Sequence, residues 1–557
     1  MKIDNKVMGT VLIFLCGVVI FLFLLNSKKI ILNKNLKIDA KGQSYLYLGE
    51  YDKAIEEYKK IRTSNLRDDN KALALKNLKL AESYSLKGDV ENSQKYIEYA
   101  KDTKNRDIEV LNAIIFNQFM NGKFEEALTF GETALKDSKY NKELIKNMII
   151  IYMANNKKDE AIKIIGLYKV DKSSSYDMAQ YAGMLITIGK IDEAMSYLGE
   201  AWDLDKDEYK IYDVLAQASI YDNEVIINSI KKFQKNNLTN IAPMMWMAKI
   251  YSLNEESCKK AEELIRKLKN EDVGNIQLNL IQAMTLQKLN NQNEAEYIIN
   301  EMVRNNENDY RVLHTAGWFY LYKNQLDEAE RYCISSINKN KKYVDNYAFL
   351  MPEILKKKDK TIGLPAYYRK ALSKESYNIS IINNMSNYYL NIASKPKDAL
   401  KFLKISSIIK PLDSEIKYNM ALIYFNSEKS KEAENILKEC IELDGNSVKY
   451  HRTLGAVYLS SGKQNEAIIE MGKASKLDKD DILNLNNTAC YYIMYTNDFN
   501  KGYYDLKQAL AGVNSNTSEY TKKVIKDNLE NIKSIIKKIE EGKVNESIKI
   551  SGFKLLY

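Results

Sequence analysis

The residue types that most often carry chemistry are scarce in this sequence. Two histidines, His314 and His451, stand 137 residues apart in a chain of 557. An imidazole acting as a general base or metal ligand needs further groups close by, and neither histidine has them at a recognisable spacing. The five cysteines, Cys16, Cys258, Cys333, Cys440 and Cys490, are odd in number and far apart. They give no disulfide framework and no CxxC metal pair. There is no GxGxxG, no GxxxxGK[ST], no HExxH and no GxSxG. Acidic residues abound but alternate with lysines, as in KAIEEYKKI and KKAEELIRKLK. That is the pattern of solvated helix faces carrying i,i+4 pairs, not of a carboxylate dyad. The expectation is a protein with no catalytic residue, no cofactor, no metal site and no small-molecule substrate. The 83 cations exceed the 74 anions by only 9 and are interleaved with them. No basic face gathers for nucleic acid.

With so little reactive chemistry, function must reside in surfaces, and the elements that present them come next. Only 5 prolines and 22 glycines occur, while 45% of residues are apolar. Such a chain can bury a continuous core, and it has too few turn formers for many strands. One phrase recurs: a short turn, an acidic or amide residue, then Ala, then an apolar residue. GKFEEALTF, NKKDEAIKI, GKIDEAMSY, NQLDEAERY and SGKQNEAIIE are examples. Its alanines are Ala54, Ala127, Ala161, Ala194, Ala261, Ala295, Ala329, Ala399, Ala433 and Ala467. Neighbouring members lie 33 or 34 residues apart, and the wider gaps hold degenerate copies near Ser93, Asn228, Leu364 and Gly502. The spacing gives about fourteen units. Each is an amphipathic helix pair that can bury its apolar face only against its neighbours.

The period and the small residues resemble the tetratricopeptide repeat, a helix-turn-helix of 34 residues. The resemblance covers residues 36–515. The alanines fall where the family has a small residue on its second helix. Gly42, Ala81, Ala182, Ala283, Gly317, Ala421 and Gly455 fall on the small position of the first helix. A leucine at Ala433 or Ala467 is expected to overpack that contact. The resemblance implies an all-α, right-handed superhelical solenoid whose first helices line a concave groove for peptides or partner proteins. Four groups map to that groove. They are Phe116, Phe119 and Met120; then Arg311, His314, Trp318 and Tyr322; then Asn383, Asn387, Asn419, Lys449 and Arg452; and last Asn484, Asn487, Tyr491 and Tyr495. The third group loosely resembles the carboxylate clamp of co-chaperone repeats. Asn387, Asn419 and Lys449 match it, Asn383 replaces a lysine, and Arg452 lies one residue off. The second and third groups are the candidate partner-binding residues, against the plainer reading that they are seam packing and common surface residues.

Residues 7–25, VMGTVLIFLCGVVIFLFLL, form an uncharged run after a flank at 1–6. As a helix it would span about 28 Å, enough for a bilayer core. It is expected to be an uncleaved, single-pass membrane anchor. Lys28, Lys29, Lys34 and Lys37 tilt the body toward the cytoplasmic side. A linker at 26–35 would lead into the array at 36–515. A charged amphipathic helix at 517–542 would cap it, and the tail at 543–557 has no assignment. The function expected is that of a membrane-tethered scaffold or adaptor. The alternative is a structural or self-associating envelope protein.

Overall fold

The computed structural model describes residues 35–62, 70–270, 275–542 and 552–557. Over these residues the chain is helical, with no strand among them. The helices pair in sequence order, as the spacing predicts. The first helices of pairs one to six are residues 35–47, Asn70–Lys87, Ile108–Met120, Lys142–Ala154, Ser175–Thr187 and the front half of Tyr209–Asn236. Those of pairs seven to nine are Ala242–Tyr251, Ile276–Lys288 and Tyr310–Tyr322, and that of pair ten runs through Asn346–Leu350 and Met351–Lys357. The expected membrane run at 7–25 lies outside the described residues. No helix among the described residues is long and apolar enough to cross a membrane.

Local chemistry sets the helix boundaries. Asp107, Asn141, Ser174, Asp309 and Asp413 each accept a hydrogen bond from a backbone N–H two or three residues ahead, capping first helices. Many first helices end on a left-handed residue, Gly122, Gly189 and Gly462 in some pairs and Asn156, Asn290 and Asn324 in others. Second helices such as Phe124–Asp137, Ile191–Leu204 and Leu326–Lys339 have no side-chain cap but carry two acids in the first turn. The recurrent acid-acid-Ala phrase thus complements the helix dipole at one step and seats the small residue at the next.

All ten recurrent alanines are fully buried. The contact they make is tight: a Cβ on Gly455 would sit 2.7 Å from Met471 Cγ and 3.3 Å from the Ala467 carbonyl. Ala467→Leu is expected to destabilise the second unit by about 1–3 kcal/mol, read from the urea midpoint of the full chain. An unchanged midpoint would mean that the seam has slack.

The degenerate copies each have a physical account. Ser93 replaces the alanine and is fully buried, with its hydroxyl donating to the Ala81 carbonyl at 2.7 Å and accepting from Asn121 at 2.8 Å. The copy around Asn228 has no turn between its helices. They run together as Tyr209–Asn236 with one non-helical residue, Asp222. Near Gly502 the glycine is needed, because a Cβ there would come within 2.3 Å of Ile493. The copy near Leu364 is taken up below.

The chain divides into two compact units, 1–394 and 395–557. In the first, residues 362–378 lie across the first helices of pairs one to six. Tyr367 stacks on Tyr47 of pair one with ring centroids 4.2 Å apart, and Tyr51 donates to the Ile362 carbonyl at 2.8 Å. Arg369, only 2% exposed, donates to Ser85 of pair two at 3.2 Å and to Asn117 of pair three at 2.6 Å. Ser376 donates to the Lys146 carbonyl of pair four, and Thr187 of pair five donates to the Tyr377 carbonyl. Glu375 is ion-paired with Lys210 of pair six, both buried. Asn378 donates to Gln217 of the same helix at 2.6 Å. Repeat solenoids ordinarily contact only their neighbours. Here the helix Leu364–Leu372 and the loop after it reach back over six pairs. In the second unit the helix Glu519–Glu540 falls inside the expected cap and buries Val524, Ile525, Leu529 and Ile532.

Candidate functional site

Beyond the stretch covered by residues 362–378, the first helices of pairs six to ten form a cleft of about 240 Å3. Its walls are apolar: Ile220 from pair six, Leu253 after pair seven, Leu280, Ile281 and Met284 from pair eight, and Phe349 from pair ten. From pair nine come His314, Trp318 and Tyr322, three members of the second group expected from the sequence. They share one stripe of the Tyr310–Tyr322 helix because their spacing follows the helical repeat.

Within the stripe the roles diverge. Trp318 Nε1 donates to His314 Nε2 at 3.1 Å, so the imidazole proton sits on Nδ1 and points to Asn346 Oδ1 at 2.8 Å. Burial pushes the imidazole down to about 3, so it stays neutral. His314 is therefore an internal strut. Trp318 is half-buried, with its ring centroid 6.0 Å from that of Tyr322, which is 50% exposed at the rim. Arg311 does not line the cleft. Its guanidinium grips Asp309 at 2.5 Å and the Asp207 carbonyl at 2.6 Å.

The floor is polar, and the sequence reading missed it. Asp213, Gln217, Lys249 and Asp345 line it. Gln217 donates to Asp345 at 2.9 Å. Burial pushes Asp345 up to about 7, the nearby Lys210 charge opposing the rise. Burial also raises Asp213, reinforced by Asp345, and it lowers Lys249. A carboxylic acid that holds its proton can donate as well as accept a hydrogen bond, so the floor offers a ligand both. The only signal in the sequence was a polar residue on an otherwise apolar helix face, repeated over more than a hundred residues.

The raised Asp345 has a consequence for stability. Its folded pKa exceeds the usual carboxylate value of about 3.9, so the folded state holds the proton more tightly. The stability gained is full below about pH 4 and lost as pH rises through about 7. Asp345→Asn keeps an acceptor for Gln217 and cannot ionise. It is expected to lose less stability than the unaltered chain between pH 5 and 8, measured by urea midpoints; parallel losses would refute the assignment.

The third group does not gather as free groups. Asn383 and Asn387 belong to the first unit, and Asn419, Lys449 and Arg452 to the second. Lys449 pairs with Glu415 at 2.5 Å, and Arg452 is buried against Asp481 at 2.5 Å. Asn387 is exposed, and Asn419 half-buried. Of the first group, Phe116 and Phe119 are buried, Phe116 beneath the Arg369 guanidinium. Of the fourth, Asn484 is buried and donates to the Met471 carbonyl at 3.0 Å.

Two segments, residues 39–61 and 414–447, match the family model described as "Tetratricopeptide repeat". No curated protein matches the chain. Among solved structures, the chain is similar to one titled as the APC/C hetero-tetramer Cut9-Hcn1, at 14% identity and TM-score 0.36, over 90% of this chain and 96% of that one. It is similar to the C-terminal part of a TPR repeat-containing protein from Cytophaga hutchinsonii, at 18% identity and TM-score 0.36, over 45% of this chain and 99% of that one. A third is YrrB, titled as a TPR protein with an unusual peptide-binding site, at 18% identity and TM-score 0.29, over 35% of this chain and 97% of that one. The family matches, one in each compact unit, support assigning these helical pairs to the tetratricopeptide repeat family.

Proposed function

We propose that this chain is a protein-interaction scaffold, tethered to a membrane through residues 7–25, and that the cleft of pairs six to ten receives an apolar or aromatic side chain of its partner. Tetratricopeptide repeats generally mediate protein–protein interaction. The observation that carries the reading is the contrast along one face of the first unit. Pairs one to six are crossed by the chain's own residues 362–378, which leave beside them a space of mixed polar and apolar lining, whereas the cleft beyond them combines apolar walls with a hydrogen-bonding floor. Such a combination suits an anchor side chain better than a flat seam does. Tyr322 at the rim and Trp318 behind it would stack on the incoming group. No catalytic role is proposed for the floor carboxyls, which serve here as donors and acceptors.

A photo-crosslinking amino acid at Tyr322 in the full chain tests this in cells. The expected outcome is a protein adduct that disappears with Met284→Arg, which places a guanidinium against the apolar wall. Adducts that survive Met284→Arg, or that match those from the exposed Tyr297 on another helix, would remove the cleft from consideration. An adduct only with a second copy of the chain would favour the self-associating alternative.

A further inference from the structure

Residues 552–557 enter the second unit as a segment without regular secondary structure and with a ligand's contacts. Two asparagines each hold one of its residues by both backbone groups. Asn487 Nδ2 donates to the Leu556 carbonyl at 2.5 Å while the Leu556 N–H donates to Asn487 Oδ1 at 2.8 Å. Asn528, on the Glu519–Glu540 helix, does the same for Lys554, at 2.9 Å and 3.1 Å. Asn486 adds a second donor to the Lys554 carbonyl at 2.9 Å and accepts from Asn528 at 2.9 Å. All three amides are at most 1% exposed. The segment supplies most of the bonds these amides make, and buried amides left without partners are costly.

The side chains of the segment are read as well. Phe553 is buried among Ala489, Cys490, Ile493, Leu506, Leu529 and Ile532. Leu556 is buried with Ala509, Val524 and Ile525. Tyr557 packs on Phe425 with ring centroids 4.8 Å apart, and its hydroxyl donates to Asn426. Lys554 points to solvent. Backbone pairing by fixed amides gives affinity for any extended chain, and the pockets for Phe553 and Leu556 give a pattern.

We infer that the groove between the helices Ile482–Tyr491 and Glu519–Glu540 is a binding site for an extended peptide segment of the form Phe-x-x-Leu, and that residues 552–557 are its resident, displaceable occupant. A partner protein carrying such a segment competes with the chain's own. The site is in the second unit and does not depend on the cleft of the first.

The probe is a labelled hexapeptide, Gly-Phe-Lys-Leu-Leu-Tyr, titrated into the full chain and into the full chain with F553S and L556S. Covalent attachment makes the resident segment a high-concentration competitor, so the peptide is expected to bind the substituted chain at least about tenfold more tightly than the unaltered one. Adding Asn487→Ala to the substituted chain is expected to abolish binding. No binding to a substituted chain whose circular dichroism spectrum and melting match the unaltered protein would overturn the inference. So would equal affinity for both chains. A second measurement covers the case in which the substitutions prevent folding. Saturating unlabelled peptide, added to the unaltered chain, is expected to accelerate hydrogen exchange at the Lys554 and Leu556 amides and not at residues 525–529. Unchanged exchange at both amides would overturn the inference equally.

Discussion

Glu375→Ala costs this protein about 3–5 kcal/mol, the expected result of breaking a buried ion pair from one side. Lys210 and Glu375 are 5% and 2% exposed at their side chains. Burial alone would push the lysine down, but the charge of Glu375, together with Tyr176, Asp213 and Asp345, more than reverses that, and the ammonium is held above its ordinary value. Asn378 also donates to Glu375, at 3.1 Å, so the alanine takes a partner from two side chains at once. What remains is an ammonium enclosed between the pair-six helix and the loop after Leu364–Leu372. The double variant Lys210→Met, Glu375→Leu should recover most of the loss, since apolar residues of similar volume often replace a buried pair at little cost. Urea unfolding of the full chain, followed by hydrogen exchange at 210–217 and 364–378, separates these outcomes. If the double variant is as unstable as the single one, packing rather than the stranded charge sets the penalty.

The second large effect is expected at Gly363. A Cβ there would stand 1.9 Å from the Tyr47 carbonyl oxygen and 2.8 Å from its carbon. Both are backbone atoms, so no rotamer change relieves the clash. Gly363→Ala must push the Leu364–Leu372 helix off the 35–47 helix, parting the Tyr47–Tyr367 stack and the Tyr51 hydrogen bond to Ile362. Overpacking of this kind costs about 1–3 kcal/mol and occasionally more; a backbone obstruction belongs at the upper end. Gly472→Ala is the control. It lies inside the Gln464–Leu477 helix with nothing within 4 Å of the added carbon, and it should stabilise by about 0.5–1 kcal/mol. Hydrogen exchange at 42–51 and 362–372 should quicken in the first variant alone. Equal protection in both would show that the two helices have room to spare.

The repeat was legible because it is local. Ala127 or Ala329 meets a helix that lies next to it in sequence, so its smallness recurs at the period and the eye finds it. The helix Glu519–Glu540 was legible for the same reason: its apolar stripe is written within one helix. The contacts of Glu375 and Arg369 were not legible, because they join residues more than 150 positions apart and obey no period. Sequence spacing marked the copy near Leu364 only as a lapse from the pattern, although that lapse is where the Leu364–Leu372 helix leaves its neighbours to lie over distant pairs. The sequence read Arg311, His314, Trp318 and Tyr322 as one helix face; the last three line the cleft and Arg311 does not, and the floor beneath them draws on pairs six, seven and ten. Asn487 was marked as a groove residue, but its occupant, residues 552–557, had no assignment.

The reach of residues 362–378 over pairs one to six also sets an order of events at the ribosome. Tyr47 is made 320 residues before Tyr367, an interval on the order of 15–60 s at typical synthesis rates. Throughout that time the nascent helices of the early pairs must wait without the segment that will cover them. The space beside the Leu364–Leu372 helix mixes apolar side chains, Leu75, Leu78, Ile108 and Phe116, with Gln43, Lys79, Glu82, Asn112, Asn117 and Lys146, and water can satisfy the last six in the meantime. A wholly greasy lining would have recruited chaperones or neighbouring nascent chains; polar side chains set among the apolar ones keep this face wetted until its own polypeptide arrives.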